Sequence, residues 1–66
     1  MRVIINGQTK DFKDRSNLQW IVEQFCRDTK HVIAELNGQI IKSHDWSKRT
    51  VHDGDTVELI NFVGGG

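Results

Sequence analysis

Thr56-Val57-Glu58-Leu59-Ile60-Asn61-Phe62-Val63-Gly64-Gly65-Gly66 carries a strand pattern straight into three glycines. Val57 and Leu59 alternate with Glu58 and Ile60, the period of two expected for a β-strand with one buried face. With Val57 and Leu59 turned to the core, Ile60 and Phe62 point to the open face of the sheet, and Val63 carries the apolar run toward the glycines. An exposed apolar patch there suits a docking surface; the alternative is that the loop around Trp46 covers it. Gly64, Gly65 and Gly66 have no Cβ and reach backbone conformations closed to other residues. Extended, three residues span roughly 10 Å. Such a thread can enter a narrow channel and present a terminal carboxylate to a reactive centre in another protein. A frayed end would read the same way, but here the glycines follow the strand with no linker between them.

Working back from this strand, Asp53-Gly54-Asp55 is a turn signal. Residues 43–49 are polar apart from Trp46, which suits a loop with a helical turn that Trp46 pins to the body. Val32, Ala34 and Leu36 alternate with Ile33, Glu35 and Asn37, so residues 31–37 form a strand. Asn37-Gly38 turns the chain into the short strand Gln39-Ile40-Ile41. At the start, Val3-Ile4-Ile5 closes at Asn6-Gly7, a strong hairpin signal because both residues tolerate positive φ. Residues 8–12 then return as a more polar edge strand. Leu18, Ile21, Val22 and Phe25 fall at i, i+3, i+4 and i+7, the apolar face of a helix over about residues 17–28. Ser16 and Gln19 have the spacing of a capping box, and Arg27 and Lys30 lie where a cation suits the end of the helix dipole.

The order is hairpin, helix, strand, short strand, loop, strand. One amphipathic helix covering a mixed sheet of four or five strands makes an α+β two-layer domain. If the first and last strands lie side by side at the centre, the topology is the ubiquitin-like β-grasp. The domain then spans residues 1–63, with residues 64–66 as a glycine tail.

A single domain of 66 residues leaves no room for an enclosed active site. Nine basic and nine acidic residues cancel, which gives no electrostatic footprint for nucleic acid. No apolar run is long enough to span a bilayer, and the first residues are too short and strand-like for a signal peptide. Cys26 is the only cysteine, so no internal disulfide is expected and the cytoplasm is the default compartment. His31, His44 and His52 match no metal-ligand spacing with Cys26. Ser16 reads as a cap, Cys26 as a partly buried structural thiol, and Asp53 and Asp55 as turn residues. Trp20 falls off the apolar helix stripe, at the margin of the core or at an interface. None of these groups has a catalytic partner, so an enzyme is not expected.

Taken together and in order, Val3-Ile4-Ile5-Asn6-Gly7, Leu36-Asn37-Gly38, the Trp46 loop and the run from Asp53 to Gly66 resemble the ThiS family, the thiamine-biosynthesis sulfur carriers among the ubiquitin-like β-grasp proteins. The resemblance covers the whole chain. It implies that an E1-like adenylyltransferase of the ThiF type uses ATP and magnesium to adenylate the terminal carboxylate of Gly66. A persulfide supplied ultimately by a cysteine desulfurase then leaves a thiocarboxylate there. Thiazole synthase, of the ThiG type, accepts that sulfur. On this reading Gly64 and Gly65 provide clearance, Ile60, Phe62 and Val63 dock partners, and the chain itself holds no cofactor or metal. The chain departs from the expected pattern at Trp20. The small subunit of molybdopterin synthase is the related alternative, though it is typically longer and often has prolines before its tail, and this chain has none. Another ubiquitin-like sulfur carrier, or a covalent protein modifier joined through Gly66, also fits.

Overall fold

The two Asn-Gly pairs form tight turns: Asn6 and Gly7 have φ of 48° and 82°, and Asn37 and Gly38 of 51° and 83°. Each closes an antiparallel hairpin, β1 (Arg2–Ile5) with β2 (Gln8–Asp11) and β4 (Val32–Leu36) with β5 (Gln39–Ile41). Between the hairpins lie β3 (Ser16–Asn17), the helix α1 (Leu18–Phe25) and a 3-10 turn at Thr29–His31. After them come a 3-10 helix (Ser43–Lys48), β6 (Thr50–Val51) and β7 (Thr56–Asn61). The computed structural model describes residues 1–13 and 16–62.

The five long strands make one mixed sheet in the order β2-β1-β7-β4-β5. β1 and β7 run parallel at its centre, with Ile4 beside Thr56 and Ile5 beside Val57. This is the β-grasp arrangement, α+β with one main helix on a mixed sheet. Strand parity builds the core. Val3 and Ile5 from β1, Ala34 and Leu36 from β4, and Val57 and Leu59 from β7 all face α1, which buries Leu18, Ile21 and Val22 against them. Each fully buried aliphatic side chain contributes about 1.5–3 kcal/mol from water exclusion, so Leu18, Ile21 and Val22 suffice to fasten an eight-residue helix. Trp46 and Val51 close the same core from the other flank. The buried indole Nε1–H donates to the Ile41 carbonyl at 2.9 Å, so Trp46 does pin its loop.

The helix departs from its sequence reading at both ends. Its N-cap is Asn17, whose Oδ1 accepts from the Trp20 N–H at 2.8 Å, and not Ser16. Ser16 is extended and paired with Val51 in a two-stranded sheet of β3 and β6. This pairing, with the Leu18 N–H donating to the Arg49 carbonyl, delays the helix start by one residue. Gln19, expected to close a capping box, instead donates to Glu23 one turn on. At the far end Cys26 is already extended. Asp28 caps the next 3-10 turn by accepting from the Lys30 N–H, so neither Arg27 nor Lys30 lies in the helix's last turn. Phe25, placed by periodicity on the buried stripe, is exposed. It meets Phe12 edge to face at 6.4 Å, and Trp20 also meets Phe12 edge to face, at 5.5 Å. An eight-residue helix covers too little of the sheet to bury its last turn as well.

Candidate functional site

β7 leads to the residues that the sequence singles out, and the fold grips it from both sides. β4 pairs with it in antiparallel register from Leu36 opposite Val57 to Val32 opposite Asn61. β1 pairs only with Thr56 and Val57, after which the chain turns away at Asn6. The Asn6 side chain continues what the strand leaves off. Its Oδ1 accepts from the Leu59 N–H at 2.8 Å and its Nδ2 donates to the Leu59 carbonyl at 3.2 Å. Asn37 makes a similar clasp: its Oδ1 accepts from the Thr56 N–H at 2.9 Å, and its Nδ2 donates to Asp55 at 3.0 Å. Both turn asparagines thus serve twice, taking up left-handed φ and fastening β7. Beyond Leu59 the main chain of β7 has, among the described residues, β4 and the adjoining turn beside it, and its last described tie is the Phe62 N–H to the His31 carbonyl at 2.9 Å.

Parity along β7 places the predicted docking residues outward. Val57 is fully buried and Leu59 nearly so, whereas Ile60 is 47% and Phe62 44% exposed. The Trp46 loop does not cover them, since Trp46 packs into the core instead. Ile33 of β4 lies directly opposite Ile60 and is 37% exposed, and Ile40 of β5 is 65% exposed on the same face. The His31 ring stands edge to face against Phe62 at 5.6 Å. Asp28 lies 3.2 Å from His31 Nδ1. The Lys30 backbone N–H first, and His31 second, hold the Asp28 carboxyl below the usual carboxylate range. Ile33, Ile40 and His31 were not among the sequence candidates for this face. Their signal was present: Ile33 and Ile40 have the outward parity of their strands.

Val63, Gly64, Gly65 and Gly66 lie outside the described residues. The remaining sequence candidates do not converge. Asp53 accepts from the Arg2 N–H and Asp55 from the His52 N–H, as turn chemistry predicts. Cys26 is half-buried, and desolvation pushes its thiol above the ordinary value. Among the described residues no group of three or more His, Cys, Asp or Glu is placed to hold a metal, and no helix is long and apolar enough to cross a membrane.

Residues 3–66 match the ThiS family. The chain belongs to that family. The sulfur carrier protein ThiS of Bacillus subtilis is 33% identical over 63 residues, covering 94% of this chain and 96% of that protein. A ThiS crystal structure from Geobacter metallireducens superposes with a TM-score of 0.85 at 29% identity, each chain covered in full. A thiazole synthase of Paramagnetospirillum magneticum is 29% identical over all 66 residues, but the chain spans only 20% of that protein's length. The resemblance read from the sequence therefore holds at the level of family and fold. The ThiS family match runs through Gly66, so it takes in both the clasped strand and the glycines that follow it.

Proposed function

We propose that this chain is a protein sulfur carrier for thiamine thiazole formation, a cosubstrate in the cytoplasm rather than an enzyme. One observation carries the reading beyond family membership: β7 is clasped as far as Leu59, and Ile60 and Phe62 are exposed on the stretch that leads in sequence to Gly64-Gly65-Gly66. An enzyme can dock on that face and draw the glycines into its own site.

The chemistry explains why the terminus must be bare. A terminal carboxylate has a pKa of about 3.3–3.7, so it is ionised at neutral pH and a poor electrophile. In the proposed sequence a Gly66 carboxylate oxygen attacks the α-phosphorus of ATP, held with magnesium by an E1-like adenylyltransferase, and pyrophosphate leaves. A persulfide, charged by a cysteine desulfurase, attacks the carbonyl carbon and expels AMP. A second thiol then cleaves the resulting acyl disulfide. It becomes a disulfide and leaves the carbon as a thiocarboxylate. Thiazole synthase takes the sulfur, a pairing supported by the similarity between this chain and a stretch of a protein named thiazole synthase. This chain's own part is to dock, through Ile60, Phe62 and Val63, and to deliver Gly66 through a passage that Gly64 and Gly65 can enter.

Intact-mass measurement after incubation with ATP, the adenylyltransferase and a sulfur source tests the reading. The expected result is exchange of one oxygen for sulfur, mapped to the C-terminal peptide and abolished by one residue added after Gly66. No exchange with an enzyme active on its own substrate, or higher-mass protein conjugates in its place, would overturn it.

A further inference from the structure

The two Asn-Gly turns are a matched pair. Each reads Asn-Gly-Gln after a branched aliphatic residue, Ile5-Asn6-Gly7-Gln8 and Leu36-Asn37-Gly38-Gln39. Each asparagine has positive φ and donates its main-chain N–H to β7, Asn6 to the Val57 carbonyl at 3.0 Å and Asn37 to the Thr56 carbonyl at 2.8 Å. Asparagine followed by glycine is chemically labile. The glycine nitrogen attacks the side-chain amide carbon, a succinimide ring closes and ammonia leaves. Water then opens the ring to an aspartyl or isoaspartyl residue. Nothing lies within 4 Å of where a Cβ on Gly7 or Gly38 would sit, so neither glycine is screened by its neighbours.

The side-chain clasps set whether this happens in the folded chain, because ring closure takes the amide out of its hydrogen bonds. Here the two sites differ. Asn6 holds the Leu59 N–H and carbonyl through bonds that are part-buried, and their release leaves two main-chain groups with incomplete access to water. Asn37 holds the Thr56 N–H and the Asp55 carboxylate through bonds that are exposed, and there water replaces the amide at little cost.

We propose that Asn37 is a site of spontaneous deamidation in the folded protein, and that Asn6, in the same sequence context, is shielded by its clasp on Leu59 until the domain opens. The product at Asn37 loses the donor to Asp55 and sets a second carboxylate against it, where the amide now bridges 3.0 Å. Like charges so placed repel. The isoaspartyl form also adds one atom to the main chain of a tight hairpin turn. Both changes loosen the hold on Thr56 at the start of β7, so the modified chain is less stable. The inference goes beyond the sulfur-carrier reading and does not depend on it.

The test is to age the full chain at mildly alkaline pH, folded in one sample and unfolded in guanidinium chloride in another, and to follow each asparagine by peptide mass. Trypsin releases Asn6 in the peptide 3–10 and Asn37 in the peptide 31–42, and conversion of amide to acid is read in each against time. The expected result is similar rates at the two sites in denaturant. In the folded sample loss at Asn6 should be slower than at Asn37 by roughly 10-fold or more, since opening free energies within one domain run from near zero to the global value. The aged folded fraction, separated by charge, should have a lower Tm than fresh protein. Loss at Asn37 no faster than at Asn6 in the folded sample would overturn the inference. So would a comparable difference already present in denaturant, because sequence and not the clasp would then set the order. An aged fraction with the Tm of fresh protein would overturn the consequence assigned to Asp55.

Discussion

Asn6→Gly isolates one clasp on β7. The backbone at this position has φ of 48°, which glycine adopts freely, so the turn geometry survives the change. What is lost is the side-chain amide that accepts from the Leu59 N–H at 2.8 Å and donates to the Leu59 carbonyl at 3.2 Å. Two net hydrogen bonds are worth about 1–3 kcal/mol. The site is partly exposed, so water takes up some of the released groups and the lower part of that range, about 1–2 kcal/mol, applies. For a domain of this size that lowers Tm by about 4–16 °C. Asn6→Ala loses the same two bonds and adds left-handed backbone strain of roughly 1 kcal/mol, so it falls below Asn6→Gly. Urea unfolding measures the stability term, and amide hydrogen exchange localises it. The Leu59 N–H points toward Asn6 and not toward β4, so its protection falls in Asn6→Gly. The Phe62 amide, bonded to the His31 carbonyl, keeps more of its protection relative to the new global stability. Retained Leu59 protection, or stability within about 0.5 kcal/mol of wild type, a shift typical of neutral surface changes, would refute the clasp.

Three further outcomes test other parts of the structure. Leu59→Ala removes a buried side chain and should cost about 2–5 kcal/mol, whereas Phe62→Asp should change thermal stability far less and instead weaken binding of the adenylyltransferase; comparable stability losses would mean that the two faces of β7 are misassigned. Trp46→Phe leaves the buried Ile41 carbonyl without its 2.9 Å donor and opens space in the core, so a loss of about 1–3 kcal/mol in urea unfolding is expected. Asp28 is depressed in the folded state, so its contribution is present above the ordinary carboxylate range and is lost as pH falls through its folded pKa. Asp28→Asn should therefore lie below wild type at neutral pH and converge with it in strong acid, by a modest amount because the group is exposed; a gap that widens on acidification would contradict this.

The fold was largely legible because its signals are local. Two Asn-Gly turns, one stripe of Leu18, Ile21 and Val22, and the parity of residues 32–36 and 56–60 each follow from chain geometry over a few residues. The errors arose where tertiary pairing overrode a local rule. Ser16 has the spacing of a capping residue, yet Val51, distant in sequence, takes it into a strand and passes the cap to Asn17. Neither Ser16-Asn17 nor Thr50-Val51 is long enough to show a period of its own, so β3 and β6 left no pattern to read. Phe25 sits at the right helical phase, but the helix reaches the sheet's margin before it can bury that turn. At the site, parity along β7 gave the outward set Ile60 and Phe62. The side-chain reach of Asn6 to Leu59, across 53 positions, is a contact that no window of sequence contains.

On the proposed reading, the clasp on β7 and its pairing with β4 bear on how a partner enzyme would engage the outward side chains of this strand. Fixing the backbone of one residue costs about 1–2 kcal/mol. A partner that bound a disordered strand would carry that cost for each of residues 60–62, roughly 3–6 kcal/mol in all. Pairing with β4, together with the Phe62 N–H bond to His31, meets the cost during folding instead. On the proposed reading, binding energy from Ile33, Ile60 and Phe62 would then be left for threading the segment beyond. Because this preorganisation resides in the backbone pairing of residues 60–62, substitution of the outward Ile60 and Phe62 side chains leaves those main-chain bonds in place. On that reading stability falls to the inward Val57 and Leu59, and recognition to the outward Ile60 and, just beyond the strand, Phe62.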